Sequence, residues 1–139
     1  VSGGVSGAEQ ALESAILGVL ATDAGVKAVL GDPLRVADSS LARPAYPCLE
    51  VVRHETTAAG SQGAEASEHR VDLAILSRDG GRAEARAALA AVRDALAGAA
   101  FPMDGWRCVL LFVVYADVTP GKFGACRALM RIKAVVEPA

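Results

Sequence analysis

RVDLAILSRDGGRAEARAALAAVRDAL, residues 70–96, changes its hydrophobic period halfway along, and that change decides the fold class. In the first seven residues Val71, Leu73 and Ile75 share one face, at the period of two of a strand. Asp79, Gly80 and Gly81 then supply residues that tolerate a turn. From Arg82 the period is helical: Ala85, Ala88, Leu89, Val92 and Leu96 fall within an arc of about 100°. Arg82, Arg86 and Arg93 form a separate stripe at the border of that arc and are expected to be solvated. Gly98 is placed to stop the helix. Burying Leu89, Val92 and Leu96 is worth about 1.5–3 kcal/mol each, more than helix propensity supplies. The helix therefore needs a sheet to lie on.

The flanking segments supply one. Towards the N-terminus, Leu12, Ile16, Val19 and Leu20 mark a helix over residues 8–20, and Thr22 and Asp23 are placed to cap a second, short helix from Ala24 to Leu30. Gly31-Asp32-Pro33 ends that helix, and Leu34 to Val36 reads as a short edge strand. Pro44 and Pro47 bracket an extended lead-in to a strand from Cys48 to His54, whose Leu49 and Val51 face the helices. Glu55 to Ser67 is poor in large apolar residues and reads as a long, mobile hairpin arm. Towards the C-terminus, Phe101 to Gly105 is a connector and Trp106 to Ala116 a long strand, apolar on both faces. After a turn at Pro120-Gly121, Ala125 to Val136 forms the last strand. There Cys126, Ala128, Met130, Ile132, Ala134 and Val136 alternate with Arg127, Leu129, Arg131 and Lys133. The order predicts an α+β fold: a mostly antiparallel, four- to five-stranded sheet with helices packed on one face. The central strand–helix–strand unit crosses over right-handedly if its strands are parallel.

A chain of 139 residues with 53% apolar content suits one core. The expected organisation is a flexible N-terminal tail, 1–7, then a single domain over 8–139 that carries the mobile arm 55–67. The tail has neither the charged start nor the apolar centre of a signal peptide, and no apolar run reaches the length of a membrane span. The net charge of −2 lacks the basic balance of a sequence-independent nucleic-acid binder. Cys48, Cys108 and Cys126 are odd in number and sit in apolar runs without zinc-ligand spacing; they read as buried thiols in a reducing compartment.

His54 and His69 flank the arm, with Glu50, Glu55 and Glu68 nearby, so a metal or acid–base site is conceivable. Beside a polar loop such residues are usually solvated, and that is the expectation. Thr119-Pro120-Gly121-Lys122 lacks the first glycine and the closing hydroxyl of a phosphate loop and reads as a hairpin turn. No catalytic, cofactor-binding or metal-ligating residue is expected.

The long strand has more apolar residues than one face needs. Assigning Trp106, Cys108, Leu110, Phe112 and Val114 to the helices leaves Val109, Leu111, Val113 and Tyr115 outside, beside Val52, Leu76 and Leu129. Glu50, Asp72, Arg107, Arg127, Arg131 and Lys133 would ring that centre with both signs of charge, the anatomy of a protein–protein contact. The expected subunit interface comprises Val109, Leu111, Val113, Tyr115, Leu129, Arg127, Arg131 and Lys133; the alternative is that the N-terminal helix crosses to this side and covers it within one chain. A second contact is expected on the arm, at Glu55, Thr56, Thr57, Gln62 and Glu65.

Three stretches carry a resemblance over nearly the whole chain: residues 11–36, the proline-led strand Ala45 to Val51, and Val71 to Ser77 with the Ala/Leu helix that follows. The last strand, Leu129 to Val136, also fits. Together they resemble the tail terminator or tail-completion family of long-tailed phages and gene transfer agents. The resemblance implies a hexameric ring on the head-proximal end of the tail tube. Such a ring stops polymerisation, and the head connector or stopper protein docks on it. It also implies a homo-oligomer in contact with the tail tube protein, DNA passing through the lumen without specific binding, no membrane, no cofactor and no enzymatic activity. Its place is the tail of a virion or phage-like particle assembled in the bacterial cytoplasm. The alternatives are a small ligand-binding or regulatory α+β module and, third, an enzyme using His54 and His69.

Overall fold

The computed structural model describes residues 7–37, 45–58, 65–78, 81–122 and 124–139. The elements run α1 (Ala8–Thr22), α2 (Ala24–Leu30), β1 (Cys48–Ala58), β2 (Ser67–Ser77), α3 (Gly81–Leu96), β3 (Trp106–Pro120) and β4 (Cys126–Pro138). The four strands form one sheet in the order β1-β2-β4-β3, and each neighbouring pair is antiparallel. β2 and β3 are therefore parallel to each other, with β4 inserted between them and α3 as their connection. The architecture is the α+β arrangement that the sequence predicts.

Each element has a local cause. The Asp23 side chain accepts a hydrogen bond from the Val26 amide at 3.0 Å and caps α2, whereas Thr22 bonds back to the Gly18 and Val19 carbonyls. Gly98 follows α3 with a φ of +70°, the left-handed stop that only glycine takes without strain. Leu34 to Val36 shrinks to a single parallel bridge between Val36 and Leu49, buttressed by Arg35, whose guanidinium donates to the carbonyls of Pro47 and Val29. The strands are longer than the periodicity suggests: β1 and β2 continue into the expected arm, pairing Glu55 with Arg70 and Ala58 with Ser67.

One buried cluster joins the apolar residues of all three helices to a single set of sheet positions. Leu12, Ile16 and Leu20 of α1, Val26 and Leu30 of α2, and Ala85, Ala88, Leu89, Val92 and Leu96 of α3 belong to it. The sheet contributes Leu49, then Val71, Leu73 and Ile75, then the alternate residues of β4 from Cys126 to Val136. Those β2 and β4 residues are direct cross-strand partners, Val71 with Ile132, Leu73 with Met130 and Ile75 with Ala128, so they share one face.

The edge strand β3 departs from the expected facing. Its ladder with β4 contains two β-bulges: Val109 has no partner between Cys108 and Leu110, and Val114 has none between Val113 and Tyr115. Each extra residue reverses the side on which the following residues emerge. Trp106 and Cys108 pair with Pro138 and Val136 on the core side; Leu111 and Val113 pair with Ala134 and Ile132, also on the core side; Ala116 and Val118 continue that side. Leu111 and Val113, expected outside, therefore pack against the core, and Leu110, Phe112 and Val114 are turned out. β1 contains a third bulge, at Val52.

Candidate functional site

The first feature is the outward strip of β3. Val109, Leu110, Phe112, Val114 and Tyr115 are 39–52% exposed, and with Val52 they are the exposed large hydrophobic residues among those described. Two of the five, Val109 and Val114, are the bulged residues themselves. Leu111 to Ala116 also form one wall of a groove of about 540 Å³, whose other wall is Arg93 and the Leu96–Gly98 end of α3. A helix end beside an edge strand leaves such a groove because no further strand closes the sheet.

Beside the strip, the outer face of β2 and β4 is a lattice of ion pairs. Arg131 grips Asp72 with two hydrogen bonds, 2.9 and 3.4 Å, and lies over the Tyr115 ring at 5.5 Å. Lys133 meets Glu68 at 2.8 Å, and Arg107 meets Glu137. The Asp72 carboxylate holds the Arg131 guanidinium above its ordinary pKa, and the Lys133 ammonium holds the Glu68 carboxyl below its own. Tyr115 donates to the Asp117 carboxylate at 2.6 Å, which pushes the phenol up. Of the basic residues expected to reach for acids next door, Arg107, Arg131 and Lys133 have acids within their own sheet. Arg127 is exposed and Leu129 half-buried. The exposed apolar area is thus narrower than the sequence implies, and apart from Val52 it lies along β3.

Of the residues expected on the arm, Glu55 pairs with Arg53, and Thr56, Thr57 and Glu65 are exposed, with the Thr56 hydroxyl reaching back to His69. Gln62 lies outside the described residues. The thiols of Cys48 and Cys126 are buried and that of Cys108 is half-buried. Burial pushes the Cys48 and Cys108 thiols up and so lowers their reactivity.

The second feature contradicts a solvated reading. His69 is fully buried and the His54 side chain is 8% exposed. The bulge at Val52 turns His54 to the core side, towards α1, where its Nδ1 lies 2.6 Å from Glu13 Oε2. His54 Nε2 lies 2.8 Å from His69 Nδ1, and His69 Nε2 lies 2.8 Å from Ser67 Oγ. The Thr56 hydroxyl is 3.3 Å from His69 Nδ1. A continuous chain of polar contacts therefore runs Glu13–His54–His69–Ser67 and crosses from helix to sheet. Burial lowers the His69 pKa, the charge of His54 lowers it further, and Glu9 opposes both. Glu9 is itself held low by its own backbone amide and by Thr56, at the N-terminal turn of α1. Every nitrogen of the pair is engaged within the protein. No cluster of three or more metal-ligating side chains occurs among the described residues.

Exposed apolar strips of this kind commonly mark places where proteins meet one another. Residues 14–137 match the family described as Tail completion protein gp17, and the chain belongs to that family. A solved structure of the virion of a native gene transfer agent particle contains a chain similar to this one, at a TM-score of 0.82 and 27% identity. The match covers 95% of this chain and 99% of that one. No curated protein sequence matches the chain. The protein is a structural component of the tail of a phage or phage-like particle. No helix among the described residues is long and apolar enough to cross a membrane.

Proposed function

We propose that this protein is a tail terminator. Copies close into a ring, hexameric as the family resemblance implies, on the head-proximal end of the tail tube. There the ring stops growth of the tube and joins it to the head connector. It has no catalytic role, and DNA slides through its lumen without specific binding. The observation that carries the reading is the strip Val109, Leu110, Phe112, Val114 and Tyr115, which the chain's own described residues leave uncovered. Its occupant is a second copy. Two bulges twist the β3 edge, so contact by packed side chains fits better than continuation of the hydrogen-bonded ladder. The arm, through Glu55, Thr56, Thr57, Gln62 and Glu65, is the second contact and reaches the neighbour or the tube.

Mixing purified protein with tail tubes, and reading particles by negative-stain microscopy and mass by light scattering, tests this. The wild type should cap tubes with rings, and Phe112→Asp with Val114→Asp should stay folded by circular dichroism yet cap none. Normal rings from the double variant would overturn the assignment of the strip. A groove of about 780 Å³ between α1 and residues 100–105 is the place where a small-ligand module would bind. Among the described residues Asp104 is its one charged lining group, and small side chains such as Ala11, Ala15 and Gly18 make up much of the rest. That lining favours contact with protein over recognition of a polar metabolite.

A further inference from the structure

The buried histidine pair has no part in the contact surface, yet it ties three elements together. Glu13 on α1, His54 on β1, and His69 and Ser67 on β2 are joined in one line of contacts of 2.6–2.8 Å. Ser67 begins β2 and Thr56 lies two residues from the end of β1, so the far end of the line is the root of the β1–β2 hairpin. Glu9 and Glu13 are the charged groups of α1 that act on the pair, and the β4 residues opposite His69 and Ser67 are Ala134 and Val136.

The proton count of this line is constrained. With both rings neutral, His54 Nδ1–H donates to Glu13, His69 Nδ1–H donates to His54 Nε2, and the Ser67 hydroxyl donates to His69 Nε2. One added proton is accommodated by reversal: His54 Nε2–H donates to His69 Nδ1, His69 Nε2–H donates to Ser67, and Glu13 faces the resulting imidazolium. A second proton has no place. Two N–H groups would then point at each other across 2.8 Å, between two cationic rings out of water.

We propose that His54 and His69 form a one-proton latch that fastens α1 and the hairpin root to the sheet and releases both when a second proton is added in mildly acidic solution. The direction follows from linkage. A histidine held below its ordinary value of 6.5 in the closed form binds fewer protons than in the open form, so closure weakens as pH falls below 6.5. If opening takes up one proton, the open fraction rises about tenfold per pH unit across that window.

The test uses the full chain and two readouts between pH 8 and about 5, the range in which histidine titrates. Imidazole resonances followed by NMR should show one proton entering the pair and the second displaced to lower pH. Amide hydrogen exchange, corrected for its intrinsic pH dependence, should accelerate in the first turns of α1 and at Ser67 to Arg70 by about tenfold per pH unit below 6.5. Exchange in α2, whose cap is Asp23, should stay flat. His54→Gln keeps a hydrogen-bonding group but not the second titrating ring, and should narrow the pH window over which α1 exchange accelerates to the part set by burial of His69. Independent titration of both rings at the ordinary value would overturn the proposal, as would flat α1 exchange while both rings gain protons. The wild-type titration decides even if the variant does not fold.

Discussion

Two adjacent residues of β3 offer a direct test of its bulged register. A regular strand with Trp106 and Cys108 facing the core would place Phe112 inside and Leu111 outside; the bulge at Val109 exchanges them. Leu111→Asp would set a carboxylate on the half-buried side that packs against the core, where a poorly solvated polar group without a partner costs about 1–3 kcal/mol. Domain stabilities run at about 5–15 kcal/mol, so this loss is a large share of the total. Phe112→Asp would set the same charge on a side 47% exposed, opposite Lys133, and should change stability by about 0.5 kcal/mol or less. In urea, with a slope of about 1–3 kcal/mol per molar, the first variant should lose about 1 M of midpoint and the second under about 0.5 M. Far-ultraviolet circular dichroism of both variants under one set of conditions reads the difference. A larger loss for Phe112→Asp than for Leu111→Asp, or equal losses, would refute the bulged register and return Leu111 to the outer face.

Three further outcomes are expected. Asp23→Ala removes the cap of α2 and should cost about 1 kcal/mol in chemical denaturation, with Asp23→Asn largely restoring it. Ile132→Ala, fully buried at the centre of β4, should cost about 2–5 kcal/mol by the same measurement. Because Lys133 holds the Glu68 carboxyl below its ordinary 4.5, the pair stabilises the fold above that pH and loses its effect as pH falls through the depressed value; Glu68→Gln should flatten the acid limb of a midpoint-against-pH curve.

What could be read in the sequence followed from clean periodicity. The inward set of β4 and the buried stripe of α3 repeat at 2.0 and 3.6 residues with polar residues between them, so one chain suffices to place them. β3 is apolar on both faces and so carries no alternation from which a change of phase could be seen; its facing is decided by pairing with β4. The same blindness hid His54, because the extra residue at Val52 turns it inward only once β1 is paired with β2. His69 was within reach: stepping back by two from Ile75, Leu73 and Val71 lands on it, in the same buried row. The polarity of the segment masks it, since two imidazoles that satisfy each other leave no mark in composition. The ion partners of Arg131 and Lys133 were likewise hidden, because Asp72 and Glu68 become their neighbours only through the β2–β4 register.

The bulges of β3 also say where this strand can change length. Val109 and Val114 have no partner on β4, so removing either one would straighten the strand and leave each remaining residue on its present side. Removing Leu111 or Val113 would instead turn over the residues beyond it and bring outward side chains into the core. Insertions and deletions among relatives are ordinarily confined to loops. Here two positions inside a strand should admit them, as compensated frameshifts do in a reading frame, and gaps in comparisons of related chains should collect at Val109 and Val114.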